Sequence, residues 1–126
     1  MRRDEDYPID IVIPWVDGAD PEWMKEKNKK AEELNGAFAA DCSDKRFRDW
    51  GIIRYLFRSI DLYASWVNKV HFVTWGHLPK WMNPNAPKLH IVNHRDFIPQ
   101  QYLPTFSSHT IELNMHRIPG LAEHFI

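Results

Sequence analysis

The sequence contains a single cysteine, Cys42. It can therefore build neither an internal disulfide framework nor a cysteine-based zinc site, and its thiol usage fits a reducing compartment. No stretch approaches the ~18 consecutive apolar residues of a membrane span. Met1-Arg2-Arg3 runs into acids rather than into the apolar core of a signal segment. The formal net charge is −1, so the basic excess of a general nucleic-acid binder is lacking. Internal repeats, low-complexity tracts and domain linkers are also lacking. What remains is a chain of 126 residues, long enough for one domain with a core. Aromatic residues make up 13% of it, six of them Trp. They supply large buried areas and also faces on which sugars and bases stack.

The chain is organised around Asp10–Pro21. Ile11, Val12 and Ile13 form a β-branched apolar run that suits a strand covered on both faces. Asp17-Gly18 predicts a sharp turn. Asp20 is a good helix N-cap and Pro21 a good first helical residue. A strand's carboxyl end running into a helix start is where open α/β sheets bind ligands. Asp20 reads as a cap; Asp17, beside Trp15 at the strand tip, reads as a functional residue.

Residues 1–8 are charged and expected to fray. The first strand is predicted over 9–16, and a helix over 21–34 with a thin apolar stripe and a solvated lysine-rich face. After a loop, Arg46-Phe47-Arg48-Asp49-Trp50 leads into a helix ending near Ala64. Ile53, Leu56, Phe57, Ile60 and Ala64 recur there at helical spacing. Arg54, Arg58 and Asp61 share a separate flank. They suit an Arg58–Asp61 surface pair and equally an anion clamp, because Arg binds phosphate through a planar fork.

Lys69–Trp75 alternates and predicts a second strand. Trp81 is expected to pin the Pro- and Asn-rich loop 78–87, and Leu89–Asn93 predicts a third strand with His94-Arg95-Asp96 at its carboxyl end. Ser107 or Ser108 is expected to cap a helix to about Arg117, stopped by Pro119-Gly120. His109, Glu112 and His116 fall on one helical face, which suits either an ordinary wet face or an acid/base site at a phosphate. Their spacing matches no standard zinc pattern. His124-Phe125-Ile126 starts a fourth strand. Strands alternating with helices predict an α/β, Rossmann-like, mostly parallel sheet with flanking helices.

Five stretches together resemble the Stealth family, hexose-1-phosphate transferases of microbial capsule synthesis that are similar to the lysosomal-enzyme N-acetylglucosamine-phosphotransferase of animals. They are Ile9–Pro21 (IDIVIPWVDGADP), Arg46–Ile60 (RFRDWGIIRYLFRSI), Ala64–Met82 (ASWVNKVHFVTWGHLPKWM), Leu89–Phe97 (LHIVNHRDF) and Leu103–Ile126 (LPTFSSHTIELNMHRIPGLAEHFI). The resemblance implies transfer of a sugar 1-phosphate from a nucleotide-sugar, of the UDP-sugar kind, to a saccharide hydroxyl. It also implies Mg2+ (or Mn2+) and a cytoplasmic place, peripheral at the inner membrane. Asp17 would hold the nucleotide or the metal. Trp15, Arg46, Asp49, Arg54, Arg58, His94 and Ser107 would bind substrate. Glu112, His116 and Arg117 would orient or deprotonate the acceptor. Pro14, Trp50-Gly51 and Trp75 depart from the residues frequent in the family, which bears on the donor sugar.

In the family the strand at Phe125-Ile126 continues into an Asn-Asp-Asp motif. Residues 1–126 are therefore expected to form the first half of a single, larger catalytic domain, inactive alone. The alternative is a non-catalytic half-domain that binds a nucleotide-sugar, or one that a partner completes by pairing with the open sheet edge.

Overall fold

The computed structural model describes residues 7–34 and 50–126. Four strands, β1 (Ile9–Pro14), β2 (Val70–Thr74), β3 (Leu89–Asn93) and β4 (His124–Phe125), form one sheet in the order β3-β2-β1-β4. Every pairing is parallel. The α/β, Rossmann-like expectation holds. β1 to β3 wind outward in one direction, and the chain then returns to add β4 on the other side of β1. The reversal puts the switch point of the sheet at the carboxyl end of β1.

Register explains the apolar patterning. Ile13 pairs with Phe72 and Phe72 with Ile91. One face carries Ile11, Ile13, Val70, Phe72 and Ile91 and is covered by helix α2 (Ile53–Tyr63) through Ile53, Phe57 and Ile60. The other face carries Val12, Val73 and Val92. It is covered by helix α3 (Ser108–Asn114) and the segment after it, through Ile111, Met115 and Ile118. Phe72 has no exposed surface and lies between the rings of Trp15 and Phe57.

Helix α1 (Pro21–Glu33) begins as expected: the Asp20 carboxylate accepts the Trp23 amide at 2.8 Å. Its lysine-rich face is not uniformly solvated. Lys27 is buried, with its ammonium 5.6 Å from the Trp23 ring centroid; its methylene stem covers apolar surface. β1 stops at Pro14, earlier than the predicted Val16, and one further bond, from the Trp15 amide to the Val73 carbonyl at 2.8 Å, follows it. Helix α3 stops at Asn114, not Arg117, and a 3-10 turn covers Met115–Arg117. His116 therefore leaves the angular series that put it in line with His109 and Glu112. Ser107 occupies the N-cap of α3 without a side-chain capping bond. In the 78–87 loop the buried anchor is Met82; Trp81 is half exposed, edge-on to Phe57.

Candidate functional site

Three strands end together at the carboxyl edge of the sheet, and each delivers polar side chains to it. At the end of β1, Asp17 makes a tight turn in which its Oδ1 accepts the Ala19 amide at 2.9 Å. Its own backbone N–H donates to Nε2 of His77 at 2.7 Å. At the end of β2, the Thr74 hydroxyl donates to the His77 carbonyl at 2.6 Å. The His77 ring meets Trp15 edge-on, centroids 5.3 Å apart. At the end of β3, Asn93 and Asp96 form a reciprocal capping box that fixes the 3-10 turn His94–Asp96.

His94 is the buried histidine of this edge, 2% exposed. Its ring lies 5.7 Å from that of Trp75 and edge-on to Phe97. Nδ1 meets no hydrogen-bond partner among the described residues. Burial, reinforced by His77 nearby, drives the imidazole pKa down from 6.5 to about 4, so His94 is neutral at physiological pH. Trp75 is held from two further directions. Its Nε1–H donates to Glu26 of α1 at 2.8 Å, and the Arg95 guanidinium sits 4.2 Å from its ring centroid, a cation–π contact.

The sequence-predicted residues distribute unevenly over this geometry. Trp15, Asp17 and His94 gather at the carboxyl edge. α2 descends to the amino end of β2, so Arg54, in its first turn, lies towards the carboxyl edge and Arg58 one turn further down. Arg54 donates to the Tyr55 hydroxyl at 3.1 Å, with its guanidinium over that ring. Arg58 and Asp61 form no ion pair, so the surface-pair reading of that flank fails. Ser107 precedes α3. Glu112, His116 and Arg117 are exposed along the segment that leads from α3 down to Ala122, and no hydrogen bond joins them to Asp17. Arg46 and Asp49 lie outside the described residues.

His77 and Glu26 were not singled out from the sequence; Trp75 was noted only as a departure from the residue frequent in the family, and Arg95 only as a member of His94-Arg95-Asp96. The signal for His77 was present: like Asp17 and His94, it follows directly on a strand end in a parallel sheet.

A second polar cluster lies at the opposite, amino edge, inside the sheet. Asp10 is fully buried. Its Oδ1 accepts from Asn68 Nδ2 at 2.8 Å and the Lys69 amide at 3.1 Å. Its Oδ2 accepts from His71 Nε2 at 2.7 Å and the Ala122 amide at 2.9 Å. Burial pushes this carboxyl upward, but the bonds from His71, Ala122 and Asn68 together outweigh it and hold the group below the ordinary carboxylate range. His71 Nδ1 in turn faces His90 Nδ1 at 2.8 Å. Burial, with His71 and Lys69 adding to it against Asp96 and Asp10, lowers the His90 pKa. The row uses its polar atoms on itself and acts as a tie between strands.

Among the described residues no group of three or more His, Cys, Asp or Glu converges in a way that could hold a metal ion. A divalent ion bound mainly by a substrate's phosphates needs only one or two protein carboxylates. Asp17 fits that demand, since its Oδ2 accepts no hydrogen bond in the described residues.

Comparison with known sequences decides the family. The description "Stealth protein CR2, conserved region 2" matches residues 46–126, and "Stealth protein CR1, conserved region 1" matches residues 7–30. The chain belongs to the Stealth family. Relatives of this Stealth chain include a capsular polysaccharide phosphotransferase WcwK of Streptococcus pneumoniae, 50% identical over 94% of the chain and 35% of the relative. The capsular polysaccharide phosphotransferase eps5J of Streptococcus thermophilus is 45% identical over 94% of the chain and 50% of its own length. The receptor polysaccharide phosphotransferase WefC of Streptococcus oralis is 46% identical over 94% of the chain and 36% of its own length. The Stealth chain thus spans between a third and a half of these relatives. No helix among its described residues is long and apolar enough to cross a membrane.

Proposed function

We propose that this chain is the donor-binding part of a capsular polysaccharide phosphotransferase, which moves a sugar 1-phosphate from a nucleotide-sugar to a saccharide hydroxyl. The observation that carries the reading is the position of Asp17, at the tip of β1 where the strand order reverses, in a chain whose relatives are named as polysaccharide phosphotransferases. In such a transfer the acceptor oxygen attacks the phosphorus that bears the sugar. The bond from that phosphorus to the nucleotide's bridging oxygen breaks, a nucleoside monophosphate leaves, and the acceptor's proton passes to a base.

The roles follow from chemistry. Asp17 would hold a Mg2+ or Mn2+ ion brought with the donor's phosphates, and the ion would supply neutralisation of phosphate charge there. Arg54 and Arg58 meet phosphate oxygens. Trp15 faces the uncharged parts of the donor, and the buried, neutral His94 supports this edge from within through its contacts with Trp75 and Phe97. Glu112 takes the acceptor's proton; His116 and Arg117, further along the segment that leads down to Ala122, lie towards the amino edge and away from the donor phosphates.

The test is a calorimetric titration of UDP-N-acetylglucosamine into the chain, with and without magnesium, repeated with Asp17→Ala and Arg54→Ala. Magnesium-dependent binding that Asp17→Ala abolishes and Arg54→Ala weakens about tenfold is the expected result. Binding indifferent to magnesium and to Asp17 would overturn the donor-site reading.

A further inference from the structure

We propose that His77 is a positioning residue: its Nε2 lone pair holds Asp17 in the orientation that presents the carboxylate at the carboxyl edge. The two residues are 60 positions apart, yet the Asp17 N–H donates to His77 Nε2 at 2.7 Å. Because the donor is a backbone amide, Nε2 must be the unprotonated nitrogen and Nδ1 must carry the ring proton. The tautomer is therefore set by the β1 loop itself.

His77 is in turn held in place. Its carbonyl accepts the buried Thr74 hydroxyl at 2.6 Å, and its ring packs edge-on against Trp15. Gly76, at φ +111°, makes the turn that carries the chain from β2 back over β1. A Cβ there would lie 3.2 Å from Asn93 Nδ2 on β3. The turn is thus fixed by two neighbouring strands before His77 reaches Asp17. A hydrogen bond from the end of β2 then removes freedom from a loop that is tied to β2 at its start by the Trp15 amide on the Val73 carbonyl and is otherwise held by local bonds, the Ala19 and Asp20 amides on Asp17. This inference rests on the reading of Asp17 as a donor contact, but the geometry it asserts can be measured separately.

Two substitutions divide acceptor from packing. H77F keeps a ring against Trp15 and has no acceptor; H77Q loses the ring and keeps a carbonyl oxygen that can take the Asp17 amide. In the 15N-labelled chain, H77F is expected to speed hydrogen exchange at the Asp17 amide about fivefold, with the Val73 amide unchanged, since one hydrogen bond is worth about 1 kcal/mol. H77Q is expected to stay near wild type. Affinity for UDP with magnesium is expected to follow the same order. Equal protection of Asp17 in H77F and wild type, or equal loss in both variants, overturns the proposal. If H77F does not fold, the ring nitrogens of the wild-type protein decide it: an unprotonated Nε2 coupled to the Asp17 amide supports the proposal, and a protonated Nε2 overturns it. The expected exchange pattern without any binding of UDP by the wild-type chain would leave His77 as the positioning residue and remove the donor-site reading instead.

Discussion

His71 Nε2–H donates to Oδ2 of Asp10 across 2.7 Å, and neither side chain has any exposed surface. All four groups around the Asp10 carboxylate are donors: two reach Oδ1 and two reach Oδ2. Asp10→Asn must aim its amino group at one of those donor pairs. It is expected to cost about 3 kcal/mol, and Asp10→Ala at least as much, because buried donors are left without partners. Urea denaturation followed by far-UV circular dichroism measures both.

His94 gives the fold an acid limit. Its imidazole titrates at about 4 in the folded chain against an ordinary value of 6.5. Between those values the unfolded chain binds the extra proton and the folded chain does not. Stability is therefore full above about pH 6.5 and falls as pH drops towards 4, by about 3 kcal/mol for a shift of this size. His94→Phe keeps an aromatic ring between Trp75 and Phe97 and is expected to remove most of that slope. The lowered His90 acts in the same direction, so a smaller slope remains. Asp10, held below its ordinary value, contributes stability that disappears only at still lower pH. Melting temperatures from pH 7 down to about pH 2 separate these contributions.

Phe72 marks the weight of the α2-facing core. It is fully buried between Trp15 and Phe57. Phe72→Ala is expected to cost about 3–5 kcal/mol. The same substitution at exposed Tyr63, 82% accessible, should fall within about 0.5 kcal/mol of wild type. Paired denaturation curves test the contrast.

Arg54 and Arg58 differ by one helical turn along α2. The donor site proposed at the carboxyl edge predicts a larger loss of nucleotide affinity in Arg54→Ala than in Arg58→Ala, about tenfold against twofold, for one charge-assisted hydrogen bond near the phosphates against one more distant. Melting temperatures should stay unchanged in both, because both residues are exposed. Calorimetric titration with UDP and magnesium reads the difference.

The strands were legible because parallel, doubly covered strands read as short apolar runs; β3 was read at its observed bounds and β2 to within one residue at each end. The doubly wound topology was legible from alternation of strands and helices. Asp17, Trp15 and His94 could be placed at one edge because each follows directly on a strand end. The Asp10–His71–His90 row was not legible. Its members lie on three strands, and nothing local distinguishes Asp10 from any polar residue opening a strand. The end of α3 was missed because the change to a 3-10 turn at Met115 carries no Pro or Gly of its own. The His77–Asp17 bond was hidden for the same reason as the row at the amino edge: it is a tertiary pairing.

The all-parallel sheet also sets an order of assembly. His71 and His90 are 19 residues apart, Asp10 and His71 are 61 apart, and Asp10 and Ala122 are 112 apart. The entropy lost on closing a loop grows with the logarithm of its length. The β2–β3 pair is therefore the least costly to form from the open chain, and the pairings of β1 with β2 and with β4 each close a longer stretch. Asp10 takes part in both longer closures. Its carboxylate is the point at which the slowest contacts of the chain converge, so its loss should retard refolding as well as lower the final stability.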